Sequence, residues 1–149
     1  MLTFDTNILL YASDASDPAR RAIARRVVGG AASVPAFITN QVIGEFCNVA
    51  RRRNLLPAKA VEAQVGAWSM FFEFAPTTLG HLLGASELAE RCQKQFWDMV
   101  IVRVAAEFGG TVLLSEDIGD GEVIDGVRIL NPFDDANRDR LGVLLTPSR

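Results

Sequence analysis

Short apolar runs alternate with longer helix-like stretches along this chain, and this alternation constrains the fold more than any other feature of the sequence. Strands that alternate with helices usually form a parallel sheet, and the connecting helices then cover both of its faces. The pattern therefore predicts an α/β protein with three layers, α/β/α, around a central and mainly parallel sheet.

Individual elements follow from apolar periodicity and from capping and turn residues. Strands are predicted at residues 2–5, 34–38, 71–75, 111–115 and 127–130. Helices are predicted at residues 18–28, 40–54, 57–72, 78–93 and 97–108. Gly29 and Gly30 are expected to end the first of these helices. Because the segment after Phe133 is polar, we expect one domain at residues 1–133 and a tail at residues 134–149 outside the core.

The composition favours a globular protein without a zinc site or a disulfide framework. Its 149 residues are 49% hydrophobic and 22% charged, which suits one ordinary domain. Cys47 and Cys92 have no metal-ligand spacing, so we expect both to be reduced core residues. The single histidine, His81, is expected to be a surface or packing residue.

The N-terminal apolar run does not resemble a signal peptide, because Asp5 and Asn7 interrupt it and no basic residue precedes it. No apolar run reaches the length of a membrane span. We therefore expect a cytoplasmic protein.

Charge is unevenly distributed along the chain, although the net charge is only −3. Residues 1–60 carry eight basic and four acidic side chains, whereas residues 61–149 carry seven basic and fourteen acidic ones. A phosphate substrate is compatible with this acidic total if metal ions neutralise some of the carboxylates.

Four acidic residues stand against apolar sequence: Asp5, Glu45, Asp98 and Asp117. Asp5 and Asp117 each follow an apolar strand, and ligands bind beyond the carboxyl ends of parallel strands. A carboxylate near a core must be protonated, paired or bound to a metal, because burying it alone costs on the order of several kcal/mol. Carboxylates without imidazole or thiolate partners favour Mg²⁺ or Mn²⁺. Each acid alone could be a cap, a solvated helix residue or a loop residue, so the prediction depends on the joint pattern.

The order of these motifs resembles that of the PIN-domain family, and within it the VapC-type toxins of bacterial toxin–antitoxin pairs. The matching segments are FDTNIL at 4–9, QVIGEF at 41–46, FWDMVI at 96–101 and LLSED at 113–117. The resemblance extends over residues 1–133. Ser115 stands where the family more often has threonine, and Asp120 and Glu122 are further acids that could share the role of the fourth ligand.

The resemblance implies a ribonuclease that uses one or two Mg²⁺ or Mn²⁺ ions. Asp5 and Asp98 would hold one ion and lower the pKa of a bound water, while Glu45 and Asp117 would hold the second near the leaving 3′ oxygen. The residues expected to orient these ligands are Asn7 and Ser115, with Thr6 shaping the turn.

The same resemblance implies RNA and protein partners. Arg51, Arg52 and Arg53 follow Glu45 on the same predicted helix, where they could contact phosphate or only favour the helix C-terminus. Trp97 could stack on a base, but packing in the core is the favoured interpretation. An antitoxin and a second copy of the chain are the expected protein partners. Apolar residues of helices 18–28 and 57–72 could form the surface that these partners cover: Ala22, Ile23, Val27, Val61, Val65, Trp68 and Phe72.

Two alternatives remain open at this point. A PIN fold without activity could serve as an interaction module, and only an assay separates it from a nuclease. A haloacid-dehalogenase-like phosphatase also begins with an aspartate after its first strand. That chemistry needs a second aspartate two residues later, where this chain has Asn7, and a downstream lysine, for which only Lys59 and Lys94 are present.

Overall fold

A computed structural model describes residues 1–147 and gives a mainly parallel sheet between layers of helices, which confirms the predicted α/β/α class. The strands are β1 (Leu2–Phe4), β2 (Phe37–Thr39), β3 (Glu73–Ala75), β4 (Val112–Leu114), β5 (Val123–Ile124) and β6 (Val127–Leu130). The helices are α1 (Thr6–Ser13), α2 (Pro18–Ala31), α3 (Asn40–Arg52), α4 (Ala58–Trp68), α5 (Leu79–Cys92), α6 (Phe96–Glu107) and α7 (Arg138–Leu144). A short 3₁₀ turn, Asp135–Asn137, precedes α7.

Strand β4 lies between two parallel neighbours. The order of the larger sheet is β1-β4-β6-β5, in which only β5 runs antiparallel to its neighbour. Strands β2 and β3 form a second parallel pair, and a parallel bridge between Leu2 and Ala36 connects that pair to β1. The carboxyl ends of β1, β2 and β4 therefore lie along one edge, where an α/β fold places its ligands.

Aromatic and branched side chains from both helical layers cover the sheet. The rings of Phe4 on β1 and Phe72 lie 5.7 Å apart, edge to face. Val27, Val61 and Trp68 are also buried in this core. The expectation that apolar residues of these helices form a partner surface was therefore wrong for Phe72, Val27, Val61 and Trp68, because their side chains are buried within the chain itself; Trp68, for example, packs against Phe46 of α3.

Helix α1 begins directly after β1, which the sequence pattern did not predict. Asp5 has an extended backbone and caps the helix, with its Oδ1 accepting a hydrogen bond from the backbone N–H of Thr6 at 2.6 Å. The apolar residues 8–10 are buried on the inner side of α1, which packs against α2 and α3. The apolar run after Asp5 is therefore helical because it packs as one buried helix face.

Helix α2 passes through Gly29 and Gly30 and ends at Ala31, so the prediction that the two glycines end it was wrong. Gly30 instead permits close packing, because a Cβ at this position would lie 3.1 Å from the Cβ of Leu145. Leu141 of α7 is buried in the core, and Asn137 before it is also buried. The expectation that the segment after Phe133 lies outside the core was therefore also wrong.

The histidine and the cysteines have structural environments. His81 is buried near the start of α5, where its Nδ1 accepts a hydrogen bond from the backbone N–H of Thr78 at 3.0 Å, which confirms the packing interpretation. Cys47 and Cys92 are free and half-buried against the core. Across residues 1–147, no helix combines the length and the apolar character that crossing a membrane requires.

Candidate functional site

The four carboxylates come from four different parts of the fold. Asp5 lies between β1 and α1, Glu45 lies on α3, Asp98 lies in the first turn of α6, and Asp117 follows β4. Because β1 and β4 are parallel neighbours, the residues after them are adjacent in space. The backbone N–H of Asp5 continues this pairing by donating to the carbonyl oxygen of Leu114 at 2.9 Å.

Ser115 connects Asp5 to the loop that carries Asp117. Its hydroxyl donates to Oδ2 of Asp5 at 2.9 Å and accepts from the backbone N–H of Asp117 at 3.2 Å. The side-chain amide of Asn7 donates to Oδ2 of Asp117. Residues of α1 and of the β4 loop therefore fix each other through neutral hydrogen-bond donors.

Thr6 connects Asp5 to helix α3. Its backbone N–H donates to Oδ1 of Asp5, and its hydroxyl donates to Oε2 of Glu45 at 2.7 Å. The sequence suggested only a turn-shaping role for Thr6, whereas its side chain also orients Glu45 over the end of β1.

The acids differ in exposure and influence one another's protonation. Asp5 is buried, Asp98 is half-buried, and Glu45 and Asp117 are exposed. The pKa of Asp5 is raised to about 6. Burial is the largest cause and the charges of Asp98 and Asp117 add to it, while the hydrogen bonds from Ser115 and Thr6 lower the pKa. Burial also raises the pKa of Asp98, to which repulsion by Asp117 and Glu45 contributes. Asp98 therefore lies within electrostatic range of Glu45 and Asp117, and Asp5 within that of Asp98 and Asp117.

Positive charge is scarce around these acids. Among residues 1–147, none of the ion pairs includes any of the four. Lys94 donates to the carbonyl oxygen of Ile118 at 2.6 Å and to Oε1 of Glu122 at 2.8 Å. Its charge also lowers the pKa of Asp98, but this effect is the smallest of those that act on Asp98. Arg103, another possible partner of Asp98, pairs with Asp125.

The donor chemistry of this group fits a hard divalent cation, because all ligating atoms would be carboxylate oxygens and their repulsion lacks a compensating charge. As the side chains stand, no three acids, histidines or cysteines within the described chain converge closely enough to enclose an ion. The oxygens of Asp5, Glu45 and Asp117 face hydroxyl, amide or backbone donors instead. Binding an ion would require these carboxylates to rotate towards it.

A second group of acids holds the loop after β4, and sequence reasoning missed its role. Glu116 accepts from the hydroxyl of Tyr11 at 2.7 Å and from the guanidinium of Arg20. That guanidinium also lies 4.8 Å from the ring centroid of Tyr11 and 5.0 Å from that of Phe133. No sequence signal joins these residues, because Tyr11 and Arg20 are 105 and 96 positions away from Glu116.

Asp120 and Glu122 belong to the same loop and have partners away from the four carboxylates. Asp120 accepts from the backbone N–H of Asn131 at 2.7 Å and from the side-chain amide of Asn137 at 2.8 Å. Glu122 pairs with Lys94. We name Glu116, Asp120 and Glu122 the clamp acids, and Asp5, Glu45, Asp98 and Asp117 the cluster acids.

The residues predicted to contact RNA are on the surface. Arg51, Arg52 and Arg53 are exposed at the C-terminal end of α3. The side chain of Trp97 is 59% exposed beside Asp98, so the favoured interpretation that it packs in the core was wrong.

Comparison with known proteins places this geometry in context. The family model described as "PIN domain" matches residues 2–119. VapC20 of Mycobacterium tuberculosis, a toxin that cleaves the sarcin–ricin loop, superposes with a TM-score of 0.66 at 23% identity, covering 78% of this chain and 90% of its own. VapBC2 of Rickettsia felis, solved with a DNA fragment from its promoter, superposes with a TM-score of 0.61 at 14% identity, covering 87% of this chain and 97% of its own. FitAcB of Neisseria gonorrhoeae superposes with a TM-score of 0.54 at 14% identity, covering 89% of this chain and 99% of its own. No curated protein matches the sequence.

Proposed function

Since this chain belongs to the PIN domain family, we propose that it is an endoribonuclease that hydrolyses RNA phosphodiester bonds with the help of Mg²⁺ or Mn²⁺. The observation that carries the proposal is the group of cluster acids, which gathers at the ends of β1 and β4 without a basic partner in the described chain. VapC20, which has the same fold, cleaves an RNA loop, and this supports RNA as the substrate class.

Two pairs of carboxylates would hold the ions. Asp5 and Asp98 would bind one, and Glu45 and Asp117 would bind the other, since these are oxygen ligands suited to hard cations. When bound, such ions supply Lewis acidity that activates water and stabilises charge at the phosphate.

The neighbouring polar side chains orient these carboxylates. Ser115 holds one oxygen of Asp5, and Thr6 holds one oxygen of Glu45, each through a hydroxyl donor. Asn7 holds Asp117 in the same way through its amide. Partners of this kind fix the direction of a ligand and typically change metal affinity or activity about 10- to 100-fold when removed.

We further propose that the protein is the toxin of a cytoplasmic toxin–antitoxin pair and acts as a homodimer until an antitoxin protein inhibits it. Exposed apolar side chains supply a surface for such partners: Met70, Phe71, Leu79 and Leu83. The arginine or lysine of an inhibitor would also find uncompensated negative charge at the cluster acids.

A cleavage assay tests the nuclease proposal. Purified protein should cut RNA with Mg²⁺ or Mn²⁺ and stop when chelator is added, and Asp98→Asn should be folded but inactive. Undiminished cleavage in chelator would show that the chemistry is wrong. A folded wild type that cuts no RNA with either metal would instead support the inactive interaction module.

An expression experiment tests the toxin proposal separately. Wild-type protein should arrest growth of its native host, whereas Asp5→Ala should be harmless. If both are equally harmless while the wild type is folded, the toxin assignment is wrong and the nuclease proposal can still hold.

A further inference from the structure

A groove follows the exposed side of α3 from the cluster acids to the C-terminal end of the helix. Its first part, of about 370 Å³, is lined by Gln41, Gly44, Glu45, Asn48 and Trp97. Its second part, of about 420 Å³, is lined by Gly44, Cys47, Asn48, Arg51, Ala58, Val61 and Glu62. Gly44 and Asn48 line both parts, so the two parts adjoin along α3.

Helical spacing explains why this path is polar. Gln41, Gly44, Asn48 and Arg51 recur every three or four residues and therefore lie along one side of α3. The opposite side of the same helix is buried in the core, which fixes α3 in place. From residue 41 to residue 51 the helix rises about 15 Å, which is enough length for a few nucleotides.

Trp97 forms the wall of the groove at the end nearest the cluster acids. Its ring is largely exposed, and the residue directly precedes Asp98. The side-chain amide of Gln41 donates to the carbonyl oxygen of Trp97 at 3.0 Å, and the ring of Phe96 lies 5.0 Å away. An exposed aromatic ring held in this way offers a stacking surface that accepts any base.

Arg51 supplies positive charge at the other end. It lines the groove, whereas its neighbours Arg52 and Arg53 do not. Phosphate contacts from arginine position a nucleic acid without reading its sequence.

We propose that single-stranded RNA occupies this groove, with one base stacked on Trp97 and its backbone passing over Gly44 and Asn48 to Arg51. The proposal rests on the proposed nuclease activity, which places the reacting phosphate at the cluster acids. A single strand is required, because a duplex does not free base faces for stacking. The absence of a side chain at Gly44 leaves room for the strand, since a Cβ there would meet no atom within 4 Å.

Filling the groove tests the path directly. Gly44→Leu should weaken binding of a single-stranded RNA dodecamer at least about tenfold, measured by fluorescence anisotropy in chelator. Gly66→Leu on α4 is the matched control, because Gly66 is also exposed, helical and free of atoms within 4 Å of a Cβ. Both variants should keep or raise the melting temperature, since each removes a glycine from a helix interior. Equal RNA affinity of the two variants would overturn the proposal.

Tryptophan fluorescence tests the stacked base. The chain has two tryptophans, of which Trp68 is buried and Trp97 is exposed. RNA should quench the emission of Trp97, and Trp97→Phe should abolish the quenching while it keeps most of the affinity that Trp97→Ala loses. Saturating RNA without any quenching of the wild type would contradict the stacking.

Salt dependence tests the phosphate contact. Arg51→Gln should reduce the slope of log Kd against log salt concentration by about 0.7 to 1, whereas Arg52→Gln should change it much less. Equal slopes for the two variants would remove Arg51 from the path.

These experiments separate the groove from the nuclease proposal. Binding and quenching without any cleavage in Mg²⁺ or Mn²⁺ would support the groove and refute the nuclease. Cleavage with unchanged kcat and KM in Gly44→Leu and Trp97→Ala would refute the groove and support the nuclease. If Gly44→Leu lost a protein partner but kept RNA, the groove would belong to that partner and the proposal would be wrong.

Discussion

The cluster acids and the clamp acids lie at the same edge of the sheet but have opposite kinds of partners. Glu116 is bound by a guanidinium and Glu122 by an ammonium group, whereas Asp120 receives two amide donors. The cluster acids receive no cation from the described chain, and burial and mutual repulsion raise the pKa of Asp5 and of Asp98.

Glu116 and Asp117 make the contrast sharpest, because they are adjacent in sequence. Glu116 faces Arg20 and Tyr11, while Asp117 faces only the amide of Asn7. A carboxylate paired with a cation stabilises the fold, whereas an unpaired one among other carboxylates destabilises it until a cation binds. The partner of an acid thus distinguishes a structural role from a ligand role better than its position in the sequence.

The largest expected effect is on activity. Asp98→Asn should lower RNA cleavage by about 10²- to 10³-fold, because it removes a charged ligand at the reacting phosphate. Steady-state cleavage rates with Mg²⁺ measure this effect.

Glu122→Gln provides the control for Asp98→Asn, since it changes a clamp acid of equal charge. It should keep cleavage within about threefold and lose stability instead, because Lys94 loses its ionic partner. The division into two groups is wrong if Glu122→Gln is inactive while Asp98→Asn is active.

The next effect is a gain in stability when Asp5 becomes neutral. The pKa of Asp5 rises from its ordinary value of 3.8 to about 6 in the folded protein. Between these two pH values the unfolded chain loses its proton more readily than the folded one, so folding stability falls as the pH rises from 3.8 to about 6. In chelator above pH 7, Asp5→Asn should therefore raise the free energy of unfolding by up to about 3 kcal/mol.

Urea unfolding at several pH values measures the effect of Asp5→Asn. The gain should vanish below about pH 4, where the wild-type carboxyl is protonated in both states. Saturating Mg²⁺ should stabilise the wild type and reduce the difference. A variant less stable than the wild type at pH 8 in chelator would contradict the account of repulsion.

A loss of stability, smaller in size than the gain for Asp5→Asn, is expected when a clamp acid is neutralised. Glu116→Gln should lower the free energy of unfolding by about 1–2 kcal/mol, because the half-exposed Arg20 loses a charged acceptor. Asp117→Asn is the adjacent control and should not destabilise the metal-free protein. Equal urea midpoints for Glu116→Gln and the wild type would show that the ion pair does not stabilise the fold.

The smallest effect is expected for Tyr11→Phe. It removes the hydroxyl bond to Glu116 and keeps the aromatic contacts with Arg20 and Phe133, so the loss should be about 0.5–1 kcal/mol. Differential scanning calorimetry can detect it as a lower melting temperature. A loss as large as that of Glu116→Gln would mean that the hydroxyl, and not the guanidinium, holds the loop.

Sequence reasoning was successful where a feature is local. The strands around Phe4 and Leu113 and the helices that carry Glu45 and Asp98 follow from apolar periodicity and caps. The rule that ligands gather at strand ends then predicted that Asp5 and Asp117 lie close together.

The sequence could not predict features that depend on distant partners. Helix α1 was not predicted, because its apolar residues 8–11 are consecutive and hide the helical period. Gly30 was predicted to end a helix, whereas its lack of a side chain lets Leu145 pack closely against α2. The contacts of Glu116 with Arg20 and of Asp120 with Asn137 join residues whose proximity only the folded chain determines.

The distances in sequence across the cluster also determine when it can form. The bonds from Ser115 to Asp5 and from Asn7 to Asp117 each span 110 residues, and the bond from Thr6 to Glu45 spans 39. Contacts between residues so far apart in sequence form late in folding, because closing a long loop costs conformational entropy. A nascent chain that has not yet exposed Ser115, or a proteolytic fragment without it, therefore cannot assemble the cluster. The proposed nuclease site therefore forms only with the nearly finished fold, and an incomplete copy still attached to a ribosome lacks it.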